Sequence, residues 1–354
     1  MALSGGHWDT LAELLKATVP TLIPGVVDET VKRGNPADIL PFSGANHTGS
    51  EIRWNRMATD AESDVANIGI GGTTAWTEGV TYTQKAANLR ICYLQRKLDK
   101  YVPAIYGTWN NYEDLTMEDM LQAIVKKLGD KIIYDDYTYD ANSLQMDGLH
   151  AWAALNYGEA WDIDEGQGAL ALENMRVLSD EMKHGVDLWL MPFCLARQID
   201  RVYREAGIAN LAYDSAGALG LISYVANEAG GRTTLFDGKP IVRSDFMVAE
   251  QADTGGVTAT ARAKYSSDTR QYSIFGLKLR EGGLAKADPG VGIAFGQLED
   301  DVITYGDIFN LEYFEKLENY IGKGMRLSCY TELIPGSKYC IGRIFDITNV
   351  VPTA

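Results

Sequence analysis

Hydrophobic and polar positions alternate along this chain in two periods, one helical and one extended, and these divide it into elements. Trp8, Leu11, Leu14 and Leu15 recur at helical spacing behind Asp9 until Pro20 stops them. A second short helix is predicted after Pro24, through Val26, Val27, Thr30 and Val31 to Gly34. Neither is long enough to be stable alone, so residues 1–40 read as an arm packed on something else, with Trp8, Leu11 and Leu15 as its packing residues. From Glu51 to Met57 polar and apolar residues alternate one by one, the signature of a strand. The polar, acidic stretch from Thr59 to Glu78 holds Gly69, Gly71 and Gly72, and the chain returns through Val80–Thr83 and Leu89–Leu94. Together these segments predict one long hairpin, with arms of roughly 15 residues reaching about 50 Å. A two-stranded ribbon of that length is marginal by itself and needs a neighbour to lie on.

The strongest helical stripe is Met117, Leu121, Ile124, Val125, Leu128 and Ile132, behind a capping-box-like start at Thr116 and Asp119. Gly129 is placed to stop it, yet the stripe carries the helix on to Tyr134. Asp147-Gly148-Leu149 reads as a turn into another short packed segment. Within residues 158–307 a helix is predicted over 169–183, a buried strand over Val186–Met191, and a helix over 195–206 ending at Gly207. Pro240–Val242 and Tyr272–Leu279 are further strands, which together imply a central sheet flanked by helices. Two C-terminal strands, Met325–Thr331 and Tyr339–Ile347, flank the turn Ile334-Pro335-Gly336-Ser337. There is no internal repeat and no low-complexity tract.

Composition narrows the functional classes. At 354 residues, with 46% hydrophobic and 23% charged, the chain has the length of roughly two domains and can build a large core, which excludes disorder and small disulfide scaffolds. The formal charge of -16 argues against free nucleic acid as a direct ligand. No apolar run approaches the roughly 20 residues of a membrane helix, and Met1–Trp8 lacks a signal-peptide pattern, so a soluble chain that stays where it is made is expected. Cys92, Cys194, Cys329 and Cys340 have no CxxC spacing and read as free buried thiols of a reducing compartment.

Candidate chemistry is sparse. Gly69-Ile70-Gly71-Gly72-Thr73-Thr74 lacks the third glycine and the following helix of a dinucleotide loop, so it reads as a hairpin tip. Asp162, Asp164 and Glu173 imitate a calcium loop, but Gly166 and Gln167 replace the residues that loop needs at its fifth and sixth positions. From Ile132 to Met175 the chain carries nine carboxylates and no Lys or Arg, which reads as a solvated acidic face. His7, His47, His150 and His184 are scattered, and no serine or cysteine has a catalytic context. No catalytic residue, metal ligand or cofactor is therefore assigned. Arg197, Arg201 and Arg204 line one helix face and suit carboxylates on a partner; the alternative is neutralisation by Asp200 and Glu205. Lys85 to Lys100 carries five basic residues and the single acid Asp99, whereas Thr59 to Gln84 has four acids and no base. Such opposition lets one subunit's tip meet another's base.

The order of these segments resembles that of the major capsid protein of tailed bacteriophages, the Hong Kong ninety-seven capsid fold. Ile39-Leu40-Pro41-Phe42 leading to Gly49–Arg56 is similar to that family's passage from N-terminal arm to extended loop. Leu121–Asp136 with Asp147-Gly148-Leu149 looks like its spine helix and the following turn. Leu188–Met191, the Arg-bearing helix, Gly238–Asp245, and Ile274-Phe275-Gly276 with Glu281-Gly282-Gly283 resemble its axial domain. The resemblance implies an α+β fold with an arm over 1–40, an extended loop over 41–92, a peripheral domain from 93–157 with 308–354, and an axial domain over 158–307. It implies a non-enzymatic subunit that assembles as pentamers and hexamers into an icosahedral shell, in the virion after assembly in the host cytoplasm. Packaged double-stranded DNA would be enclosed without sequence-specific binding, and no membrane is involved. A separate scaffolding protein, a portal and room for a decoration protein follow from the same likeness. Interface candidates are Asp60, Glu62, Asp64, Gly69, Gly71, Trp76 and Glu78 at the loop tip, with Lys85, Arg90, Arg96, Arg197, Arg201 and Arg204 as cations to receive them. No lysine lies between Arg56 and Lys85, so no lysine–asparagine weld from that loop is expected. The alternatives are a cellular nanocompartment shell or, in another class, an acidic enzyme or ligand-binding protein.

Overall fold

The computed structural model describes residues 29–46, 51–60, 62–65, 67–73, 79–99, 112–138, 144–205, 222–226, 232–251, 264, 270–284, 287–299, 304–305, 308–317 and 322–353. Trp8, Leu11, Leu15, Trp76 and Glu78 lie outside these. In chain order the first elements are α1 (Pro36–Ile39), β1 (Phe42–Asn46), β2 (Glu51–Thr59), β3 (Thr81–Asn88), β4 (Arg90–Asp99), α2 (Tyr112–Tyr134), α3 (Leu149–Ala154), β5 (Asp162–Asp164), β6 (Ala169–Ala171) and α4 (Leu172–Glu181). Then follow β7 (Leu188–Pro192), α5 (Phe193–Glu205), β8 (Ile222–Ala226), β9 (Arg232–Phe236), β10 (Lys239–Ser244), β11 (Glu250–Gln251) and β12 (Arg270–Leu277). The last are β13 (Val291–Glu299), β14 (Thr304–Tyr305), β15 (Asn310–Phe314), β16 (Gly322–Pro335) and β17 (Ile341–Thr353).

Strand β7 has no polar residue because it is covered on both faces. It lies inside a nine-stranded sheet of order β5-β17-β12-β7-β10-β9-β8, with β11 beside β12 and β6 beside β17. Leu188 and Leu190 point into one core with Leu128, Ile132, Leu149 and Phe275, while Trp189 and Met191 point into another with Met175, Leu178, Leu195 and Ile344. Period-2 alternation thus feeds two cores, and each fully buried large side chain contributes about 1.5–3 kcal/mol. Gly276 and Gly342 face each other across β12 and β17. A Cβ at either would meet Leu178 Cδ2 at 2.9 and 2.7 Å, so the glycine pair lets α4 settle on the sheet.

A six-stranded sheet runs β1-β13-β16-β15, with β4 on β16 and β14 on β13. Helix α2 packs Met120 and Ile124 on Leu98, Met325, Leu327 and Cys329 from this sheet. It begins at Tyr112, four residues before Thr116, because Glu113 and Asp114 favour the positive end of the helix dipole and Lys323 pairs with Glu113 at 3.1 Å. The helix passes Gly129, where a Cβ would sit 2.1 Å from Asn35 Oδ1, while Asn35 Nδ2 donates to the Val125 carbonyl at 3.1 Å. Gly129 is a notch for Asn35 and not a helix stop.

One further expectation is corrected. The helix read over 169–183 starts at Leu172, because Ala169–Ala171 pairs with β17. The turn at Ile334–Ser337 carries the chain from β16 of the six-stranded sheet to β17 of the nine-stranded one. Strand β13, which follows β12 of the nine-stranded sheet, returns the chain to the six-stranded one.

Candidate functional site

The alternating segment 51–57 becomes β2, paired antiparallel with β3 from Glu51↔Asn88 to Thr59↔Thr81 as a separate two-stranded ribbon. Its paired arms are nine and eight residues, shorter than the arms of roughly 15 read from the sequence. The ribbon is anchored on its own chain. Trp54 stacks at a tilt on Trp152 with centroids 6.2 Å apart, and Ile52 and Leu89 pack around Ala87, Ala294 and Ile334. Arg56 donates from Nε to the Gly336 carbonyl at 3.0 Å and from Nη2 to the Pro335 carbonyl at 2.7 Å.

Beyond Thr59 that anchoring ends. Val65, Ile68 and Ile70 are 79%, 52% and 111% exposed, and Met57 and Tyr82 are also open to solvent. Glu62–Asp64 forms a single 3₁₀ turn, begun by Asp60 Oδ1 accepting from the Glu62 N–H at 3.2 Å. Asp60, Glu62 and Asp64 are exposed. The Gly72 N–H donates to the Gly69 carbonyl at 3.0 Å, and Gly71 adopts φ 86°, a conformation that favours glycine. The tip combines apolar side chains with carboxylates, all turned to solvent.

The basic candidates divide into two groups. At the ribbon's root, Lys85 and Arg90 line a cavity of about 220 Å³ together with Tyr137, Asp147, Trp152 and Glu332. Arg90 also lies over the Tyr137 ring at 4.3 Å. Arg96 pairs with Asp119 of α2 at 3.0 Å, an exposed contact that contributes little. On α5, Arg197 and Arg201 are exposed, and Arg204 lies one turn further along the same helix. Asp200, the acid weighed as their neutraliser, bonds to Arg243 at 2.8 Å and accepts from Thr234 Oγ1 at 3.3 Å.

The acidic run from Ile132 to Met175 is not wholly solvated. Asp135, Asp136 and Asp162 are buried. Asp162 takes both Nε and Nη2 of Arg343, at 2.7 and 2.8 Å, in a fully buried bidentate pair. Asp164 accepts from the Gly166 N–H, and Glu165 from Ala171 and Asn174, so these carboxylates close their own turn instead of a cation site. Among the described residues no group of three or more His, Cys, Asp or Glu side chains converges to hold a metal.

Next to the Arg343–Asp162 pair is a polar cluster that sequence reasoning missed. Glu250 is fully buried and accepts from Tyr134 Oη at 3.1 Å, His150 Nε2 at 3.0 Å and Ser273 Oγ at 2.6 Å. Arg343 Nη1 donates to His150 Nδ1 at 3.4 Å, which assigns the histidine proton to Nε2. Burial and the charge of Glu250 hold the Tyr134 phenol well above its ordinary value. These groups join α2, α3, β11, β12 and β17. Their hydrogen bonds tie those five elements together.

No known family's sequence pattern matches the chain, and no curated protein does. Solved structures do match. The holo-SrpI encapsulin complex from Synechococcus elongatus PCC 7942 is 10% identical and superposes with a TM-score of 0.63 over 98% of this chain and 99% of that one. The capsid of a native GTA particle is 12% identical, with a TM-score of 0.56 over 98% and 100%. Mycobacterium phage Adephagia is 13% identical, with a TM-score of 0.55 over 98% and 99%. At such identities the likeness is one of fold, and it spans nearly the whole chain: this is an α+β chain with the Hong Kong ninety-seven capsid fold.

Proposed function

We propose that the chain is the subunit of an icosahedral shell, assembled from pentamers and hexamers, that encloses packaged double-stranded DNA. The observation that carries this is the fold, shared over 98% of the chain with the capsid of a GTA particle and with a mycobacterial phage protein. The ribbon supports it, because a subunit that exposes Val65, Ile68 and Ile70 beside three carboxylates is shaped to cover them against another copy. In this reading residues 41–92 are the extended loop, 93–157 with 308–354 the peripheral domain, and 158–307 the axial domain. Asp60, Glu62, Asp64, Gly69, Gly71, Trp76 and Glu78 of one subunit engage the next, whose Lys85, Arg90, Arg96 and the α5 row Arg197, Arg201 and Arg204 supply cations. Trp8, Leu11 and Leu15 pack the arm. The role is mechanical, head-to-tail contacts closing rings that tile a shell, with no catalytic step. Scaffolding, portal and decoration proteins are separate partners, and the assembled particle is a virion.

A second reading, a shell enclosing a protein cargo, is favoured by one observation: the TM-score of 0.63 with the encapsulin exceeds the 0.56 and 0.55 with the other two. Negative-stain microscopy with sedimentation of the purified chain tests both. Closed shells or free rings are expected, and a compact monomer under crowding and salt overturns the proposal. Nuclease-resistant DNA inside native particles then supports the first reading, and an enclosed protein the second.

A further inference from the structure

The four cysteines are free, but two of them are not alone. Cys92 on the edge strand β4 and Cys329 on β16 are direct register partners. Both turn to the face covered by α2, where Cys329 is fully buried and Cys92 is half-buried at the margin of the same apolar cluster. Directly opposed residues of antiparallel strands hold their Cβ atoms about 4.5–5.5 Å apart, within a small adjustment of disulfide geometry. An edge strand, held on one side only, is the element best able to make that adjustment. We propose that Cys92 and Cys329 form an oxidisable dithiol, which a hydroperoxide converts to a cross-strand disulfide joining β4 to β16.

The two thiols have complementary roles. A hydrogen bond from Cys329 holds the Cys92 thiol below its ordinary value, against its burial, and Lys131 and Lys127 of α2 add to the effect, with Asp135 opposing. Cys92 is thus the accessible nucleophile, and Cys329 the partner that resolves it. The Cys92 thiolate attacks one peroxide oxygen, the O–O bond breaks, and hydroxide leaves to be protonated to water. Cys329 then attacks the sulfenic sulfur, the S–O bond breaks, and a second water forms. Two thiols lose two electrons and two protons, and one peroxide becomes two waters. Burial pushes Cys194 upward and Cys340 to about 12, so neither competes. In a reducing cell the pair stays as thiols; in an oxidising medium it closes. Because the linked residues are far apart in sequence, the bond constrains the unfolded chain strongly.

The reaction belongs to one sheet of one subunit and stands whether or not a shell forms. The test treats the reduced full-length protein with hydrogen peroxide, denatures it in alkylating reagent, and maps its peptides without reduction. A loss of about 2 Da, two unalkylated thiols of the four, and one linked peptide pair containing Cys92 and Cys329 are expected. The melting midpoint should rise by roughly 5 °C and fall back with dithiothreitol. Cys194→Ser should keep the reaction, and Cys92→Ser should leave Cys329 alkylatable. Four alkylated thiols after peroxide overturn the proposal. So does a gain of roughly 32 Da on Cys92 with Cys329 still free, or a bond joining two chains.

Discussion

The nine-stranded sheet and the ribbon tip belong to one chain but handle their apolar side chains in opposite ways. Trp189, Phe275 and Phe345 are sealed inside the sheet, and the buried charges there have partners, with Asp162 held by Arg343 and Glu250 by three donors. At the tip Val65, Ile68 and Ile70 face water beside unburied acids. The sheet's interactions are completed within the subunit, so damage there is felt as lost folding. The described side chains of the tip are open to solvent, so a substitution there is expected to leave the fold intact and, under the proposed function, to act where copies meet.

Substitutions can break that contrast. Arg343→Met strands Asp162 in the core and should cost about 3–5 kcal/mol in urea unfolding, with part recovered by adding Asp162→Asn. Gly342→Ala drives a Cβ toward Leu178 and should cost about 1–3 kcal/mol by the same assay. Arg56→Ala loses both carbonyl contacts at the turn, costs about 1–3 kcal/mol, and should show chiefly as faster hydrogen exchange in β2 and β3.

Glu332 gives a pH-dependent test at the ribbon's root. Burial, then the nearby Asp147 charge, holds its carboxyl well above the usual 4.5. A raised carboxyl adds stability that is complete below that usual value and is lost as pH rises through the folded value. Glu332→Gln should therefore flatten the stability profile, gaining on the wild type as pH increases from 5 to 9, as read from urea midpoints at each pH. The smallest effect on folding belongs to Ile70→Ser, within about 0.5 kcal/mol of wild type, yet it should abolish closed shells under the microscope. A folding loss comparable to that of Arg343→Met would erase the distinction between the two regions.

Local pattern made the ribbon and the buried strand legible. The one-by-one alternation of Glu51–Met57 and the unbroken apolar run Leu188–Met191 each reflect how many faces of a strand are covered. The glycines and acids of the tip were legible for the same reason, because they answer to a turn and to solvent. Helix limits were less so. Thr116 has the chemistry of a cap, but Glu113 and Asp114 start the helix a turn earlier. The Arg343–Asp162 pair was invisible, since its partners are 181 residues apart and Asp162 sits in a run of acids that reads as surface. The helix's continuation past Gly129 to Tyr134 was legible, but the notch that this glycine leaves for Asn35, from another element, was not.

The turn between β16 and β17 joins the six-stranded sheet's central strand directly to the nine-stranded sheet, and it is the same turn whose carbonyls Arg56 grips. Gly336 is packed there so tightly that a Cβ would lie 1.8 Å from the Asp288 carbonyl oxygen. A pull or push along the ribbon therefore arrives at a stiff joint common to both sheets. The ribbon is coupled to the body like a handle fixed at the hinge, and a load applied to it would reach both sheets.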